Sequence, residues 1–199
     1  MKFKRRYQDS MQYTYKINTD TGAYLVEVRL DDYEEMFRGW DASPAVHREM
    51  DPELLRFIEE SGFEIDLNEQ IEFIFFVEEK NRDDEKEVAS ISAIRNNFRM
   101  AIYRTDRILM KNRRKILMYV LISLLFLIAS YTVPTFTNID VVFQIFVQGL
   151  FVGGWVFLWE AFSLFFFVSH DVRQKRKRYV KFMESAIAFK YVDDVKPSV

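Results

Sequence analysis

Residues Arg113 to Phe136 read RRKILMYVLISLLFLIASYTVPTF: three cations in succession, then a run in which no side chain is charged until Asp140. A helix needs about 20 apolar residues to cross the roughly 30 Å hydrocarbon core of a bilayer. Residues 116–139 supply 24 uncharged positions, and residues 141–169 supply 29 in which Glu160 is the sole charge. Two transmembrane helices are therefore predicted, over about 116–134 and 141–168, forming a hairpin at 113–170. The whole-chain mean hydropathy of −0.14 conceals this, because the remainder of the chain is strongly charged.

The charges flanking the two runs predict an orientation. Arg113, Arg114 and Lys115 abut the first run, and Arg173, Lys175, Arg176, Lys177 and Arg178 follow the second, while the loop around TVPTFTNID carries no Lys or Arg. Cations near the ends of spans are retained on the cytoplasmic side. A two-pass protein of the plasma (inner) membrane is expected, with both termini cytosolic. The same cations lie at headgroup level, where each adds about 1 kcal/mol of attraction to anionic lipid. Membrane lipid with anionic headgroups is thus an expected partner, beside the plainer reading that these residues only set topology.

Outside the hairpin the charge is divided. Residues 31–87 hold 20 Asp/Glu against 6 Lys/Arg, a net of −14, whereas residues 95–115 hold eight Lys/Arg against Asp106 alone. The net charge of −2 is the residue of that split. So acidic a surface repels nucleic acid, which is not an expected partner. The chain has no Cys, which removes disulfides and thiolate metal sites. Its basic opening, MKFKRRYQDS, is not followed by an apolar core, so it does not read as a cleavable signal peptide.

The segment 1–112 reads as a cytosolic α+β domain: a mainly antiparallel sheet of three or four strands with two or three helices. MQYTYKI (Met11–Ile17) and AYLVEVRL (Ala23–Leu30) alternate around the turn NTDTG, which predicts a β-hairpin. DDYEEMFRGW predicts a short helix or turn, and Asp51-Pro52 a helix start, with PELLRFIEES stopping at Gly62. QIEFIFFVE (Gln70–Glu78) has the composition of a central strand. From Asp84, Val88, Ile91, Ile94, Phe98 and Ile102 recur at helical spacing, and no Gly or Pro occurs before Tyr131. Pro134 and Asn138 are expected to break that helix. The segment 171–199 is a basic, amphipathic cytosolic tail; Ile187–Val192 alternates as a strand that adds to the sheet, or continues as one helix.

Several residues within the spans are candidates for packing or permeation. Gly149 and Gly153 form a GxxxG pair, and Glu160, seven residues on, returns to nearly the same helix face. In an oligomer that face would bring carboxylates together at a cation-favouring pore mouth. At the cytosolic edge Glu160 would instead reach headgroups or meet Arg113, Arg114 or Lys115, at far lower cost than at the bilayer centre. Gln144 and Gln148, four apart, suit hydrogen bonds across a helix interface. Trp155 and Trp159, also four apart, suit the membrane–water interface.

Chemistry is sparse elsewhere. His47 and His170 are the two histidines, and the chain holds no HExxH, paired Cys, glycine-rich phosphate loop or EF-hand pattern. DDYEE (Asp31–Glu35) and DDEKE (Asp83–Glu87) read as solvated faces and helix starts. No catalytic residue, cofactor or metal is expected. The expected function is a non-enzymatic cytosolic sensor or interaction module coupled to an oligomerising transmembrane hairpin, working as a homo-oligomer or with another membrane protein. Two alternatives stay open: an oligomeric ion channel or membrane-permeabilising effector gated by the cytosolic domain, and a subunit or assembly factor of a larger membrane complex.

Overall fold

A tight turn at Asn18–Gly22 lies near the start of the described chain. Gly22 takes φ +73°, open to it because it lacks a Cβ, and its N–H donates to Asn18 O at 2.8 Å. The computed structural model describes residues 14–136 and 140–193. Ile17 and Tyr24 form one antiparallel bridge across the turn, and Met11 to Tyr13, the start of the expected hairpin strand, lie outside the described residues. Tyr24–Arg29 forms β1. The acidic DDYEEMFRGW stretch is a 3-10 turn, Tyr33–Met36.

Asp51 caps α1 (Pro52–Glu64), its Oδ1 accepting from Glu53 N at 2.8 Å and Leu54 N at 3.3 Å. These are two of the amides that the first helical turn leaves without an intrahelical acceptor. Gly62 does not end α1, contrary to expectation. It lies inside the helix, where a Cβ would stand 2.0 Å from Cζ of Phe182; its missing side chain is room for a ring. Ile71–Glu78 is β2. Asp83 then caps α2 (Asp84–Phe136), accepting from Glu85 N and Lys86 N at 3.0 and 3.1 Å. This helix runs past Pro134, and Asn138 lies outside the described residues. After Asp140 come α3 (Val141–Ser163), a π-helical segment Leu164–Val168, α4 (Ser169–Glu184) and β3 (Ala186–Val192).

The sheet has the order β1-β2-β3, and both pairs are parallel. The expectation of a mainly antiparallel sheet is therefore wrong. The reason is the order of elements: helix lies between β1 and β2 and between β2 and β3, and a chain that returns through a helix lays its next strand in the same direction. Alternating strand and helix is the α/β pattern rather than the α+β one.

Register sets the core. Val26 pairs with Phe73 and Val28 with Phe75, while Ile187 and Phe189 flank the same two phenylalanines from the other side. Phe73 touches Phe98 of α2 and Phe182 of α4, with ring centroids 6.1 and 5.8 Å apart. Ile58, Ile65, Ile94 and Phe98 are sealed into this cluster. At the far end of β3, Tyr191 shares a hydrogen bond with Tyr33 at 3.1 Å and donates to Glu87. Burial, then the Glu87 bond, pushes its phenol above the ordinary range. The opposite face of the sheet stays exposed at Ala186, Ala188 and Lys190 of β3.

The chain forms two compact units, Met1–Ile102 with Lys177–Val199, and Tyr103–Arg176. Two of its helices are long and apolar enough to cross a membrane, and 11% of the most apolar stretch of each is buried within the chain. That low share matters, because the core helix of a soluble protein buries most of its apolar surface.

Gly62→Ala should force a methyl group into the buried Phe182 ring and cost about 1–3 kcal/mol, the usual range for overpacking. The check is the unfolding midpoint of the detergent-solubilised chain by near-ultraviolet circular dichroism. Adding Phe182→Leu should recover part of the loss, and an unchanged midpoint in the single variant would refute the contact.

Candidate functional site

The residues singled out in the sequence fall mainly in the unit Tyr103–Arg176, where α2 and the α3–α4 segment run antiparallel. Leu127 meets Gly154, and Phe126 meets Gly153. Phe157 packs on Tyr119 and Phe126 at 5.9 and 5.7 Å, and Asp106 meets Arg176. The buried, mostly small residues of the seam recur at seven-residue spacing, with one eleven-residue step on α2 between Asn112 and Ser123. Val147, Gly154 and Ala161 are buried on α3; Ser123, Ser130, Thr105 and Asn112 are buried on α2. Seven residues are nearly two turns, so such positions stay on one helix face.

Small side chains let the backbones approach where lipid supplies no hydrophobic drive. A Cβ on Gly154 would lie 2.8 Å from Cγ of Leu127 and 3.3 Å from its backbone nitrogen, and one on Gly153 would lie 3.2 Å from the Phe126 ring. Nothing lies within 4 Å of a Cβ on Gly149. Within one chain the close approach thus uses adjacent Gly153 and Gly154, not the Gly149–Gly153 spacing.

The π segment keeps the seam in register. Ser169, also buried, follows Ala161 by eight residues instead of seven. In a continuous α-helix eight residues would turn it about 80° off the face. The π segment absorbs one residue, which is what such bulges do, and restores Ser169 and, seven further on, Arg176 to the seam. Arg176 then grips Asp106 with both arms, Nε to Oδ1 at 2.6 Å and the terminal nitrogen to Oδ2 at 3.4 Å. That bond raises the guanidinium's already high pKa.

Beside the seam lies a groove of about 1130 Å³. Arg113, Arg114 and Arg173 supply its cations, and Leu117, Val120 and Phe165 its apolar wall. Arg173 sits 5.5 Å from the centre of the Phe165 ring. The other expected lipid-contacting cations lie outside the groove. Lys115 and Lys177 are exposed and Lys175 half-buried. Arg178 belongs to the α/β unit, where it donates to Gly62 O, near the end of α1, and covers Phe63 at 4.6 Å.

Glu160 is exposed, and among the described residues no ion pair joins it to Arg113, Arg114 or Lys115. Phe157, one turn earlier, packs on Tyr119 and Phe126. That places Glu160 between one and two turns inside the Arg113–Lys115 cluster, about 8 Å at 1.5 Å per residue. Trp155, Trp159, Gln144 and Gln148 are exposed, and Phe151 meets the Trp155 ring edge-on at 6.4 Å. Gln148 borders a shallow recess with Ser130 and Tyr131.

The α/β unit has its own recess of about 510 Å³ at the amino ends of β2 and β3. Lys181 lines it; burial pushes its amine down to about 8, and Nζ donates to Asp66 O at 2.8 Å. Among the described residues no group of three or more His, Asp or Glu side chains is placed to hold a metal ion. Sequence reasoning missed Asp106, Asn112, Gly154 and Ser169. The seven-residue spacing of Ser123–Ser130 and Gly154–Ala161 was the available signal. No family model, curated protein or solved structure matches this chain.

Gly154→Leu should separate α2 from α3 and lower the thermal midpoint in detergent, whereas Gly149→Leu should leave the intrachain pairing intact. The π segment is open to a sharper test. Deleting Phe166 should convert the π segment to α-helix and preserve the Asp106–Arg176 contact, while inserting an alanine after Phe166 should rotate Arg176 away by about 100°. In this cysteine-free chain the check is thiol cross-linking of Asp106→Cys with Arg176→Cys: retained in the deletion, lost in the insertion.

Proposed function

We propose that this chain is a two-pass integral protein of the plasma (inner) membrane with both termini cytosolic. In this reading its α/β unit is a non-enzymatic sensor or interaction module whose state is passed to an oligomerising hairpin. The observation that carries the proposal is the pairing of β2 with β3, hydrogen-bonded neighbours although both apolar helices lie between them in the chain. Neighbouring strands of one sheet lie on one side of a bilayer, so the intervening chain must cross an even number of times. Two crossings fit the two long apolar helices, and the positive flanks favour the cytosolic side. A partner that strengthens or strains the sheet acts on strands joined directly to α2 and α4, which gives the coupling a covalent route. The exposed side chains of β3 and the acidic surface offer the partner a place to bind. The absence of nucleophile and phosphate-loop motifs favours a non-enzymatic role.

Glu160 favours oligomerisation and keeps a second reading, a channel, in play. It lies outside the seam, inside the level of the arginines, on nearly the same side as Gly149. A carboxylate facing lipid there is costly, and a second copy relieves the cost by covering it. In that arrangement carboxylates from several copies would line a common surface.

Three measurements test this. A lone Cys at Asp140 should react with impermeant maleimide on intact cells, and one at Glu60 only after permeabilisation; the reverse pattern refutes the orientation. In liposomes, cation flux that Glu160→Gln abolishes would establish the channel reading, and no flux in any assembled state would leave the interaction module. Coupling predicts that Phe189→Asp, which unseats β3, changes the cross-linked oligomer distribution.

A further inference from the structure

We propose that the groove beside the seam holds one anionic phospholipid, its phosphate on Arg113, Arg114 and Arg173 and an acyl chain along Leu117, Val120 and Phe165. This rests on the membrane reading above and assigns that reading a ligand.

Both walls of the groove change polarity in step. Along α2 the lining runs from Asp106, Leu109 and Met110 to Arg113 and Arg114, and beyond the arginines it is wholly apolar, with Ile116, Leu117 and Val120 within two turns. Along the opposite wall the order is reversed, with Phe165 first and Arg173 two turns later. Because the helices are antiparallel, the arginines of both walls lie on the same side of Leu117, Val120 and Phe165. A phospholipid has that order, a charged head and then a chain, whereas a soluble anion has no use for the apolar half.

Charge points the same way. Asp106 is the acid in the groove, and both its oxygens are held by Arg176. Among the described residues no ion pair occupies Arg113, Arg114 or Arg173, and Phe165 steers Arg173 over the apolar wall. Guanidinium groups suit phosphate, since their planar donor forks bind two oxygens at once. At about 1130 Å³ the groove also exceeds the roughly 300–1,000 Å³ usual for small-molecule sites.

The test uses the full chain in nanodiscs of phosphatidylcholine with increasing phosphatidylglycerol, with lipid retention counted by native mass spectrometry. The wild type should retain one phosphatidylglycerol per chain in preference to phosphatidylcholine. Arg113→Gln with Arg173→Gln should weaken retention by about tenfold or more, the effect of removing two cations at a membrane surface. Val120→Trp should weaken it by filling the chain site. Arg107→Gln with Lys111→Gln, the same charge change at exposed positions of α2 outside the groove, should have no effect. Equal loss in that control, or no preference for phosphatidylglycerol, would overturn the proposal in favour of diffuse attraction. So would displacement by inorganic phosphate with Val120→Trp unaffected, which would indicate a soluble-anion site. Resistance to carbonate extraction is scored for every variant. If the wild type fails that step the membrane reading itself is lost; if only lipid retention fails, the groove assignment is lost and the membrane reading stands.

Discussion

The parallel ladder between β2 and β3 is the constraint on which the rest depends. It joins Glu72–Glu78 to Ala186–Val192, so α2, α3 and α4 are together one crossover connection in a three-stranded sheet. A crossover usually needs a single helix of a dozen or so residues. Here the connection carries both long uncharged runs of the chain, and closing so long a loop has an entropic cost that grows only slowly with length. Local gains offset it: Phe73, Phe75 and Val77 are buried at the centre of the sheet, and Phe98 and Phe182, from the two ends of the connection, meet over Phe73. The helix that leaves the sheet and the helix that returns to it are held by the same aromatic cluster.

The helical unit is held by a different principle. Its seam sets Gly, Ala and Ser against Leu127, Phe126 and Phe157, so close backbone approach lets those larger side chains pack across it. Ser130 Oγ donates to Leu127 O at 2.8 Å, a local bond that leaves the hydroxyl satisfied beside α3. The π segment belongs to this economy of register. Without it the small-residue face of α3 would not continue into α4, and Arg176 would not reach Asp106. A bulge that looks like an irregularity in one helix is what keeps two helices parallel to their common contact.

Cations close in sequence are divided by the structure into three kinds of work. Arg113, Arg114 and Arg173 face the groove, Arg176 neutralises an acid, and Arg178 holds carbonyls of Gly62 and Ile65 around the end of α1. Composition shows only a basic flank. Which cation is paired depends on residues 70 or more positions away, as with Asp106 and Arg176, and no local spacing encodes that. The Gly62 reading erred for the same reason. A glycine after a helical pattern usually signals a stop, but this one makes room for Phe182, a ring that arrives from far along the chain.

What the sequence determined by itself is local. Long uncharged runs predict apolar helices because length and apolarity are properties of contiguous residues, and Asp51 and Asp83 announce helix starts because a cap reaches only two or three residues. The alternation of Ala186–Val192 is equally visible. Tertiary structure alone decided that this strand pairs with β2, that the sheet is parallel, that Gly154 lies against Leu127 while Gly149 does not, and which arginines line the groove. Those outcomes depend on the direction in which distant segments return and on the rotation accumulated along a helix. One π-helical turn within Leu164–Val168 resets that rotation, and no pattern of apolar residues reveals it beforehand.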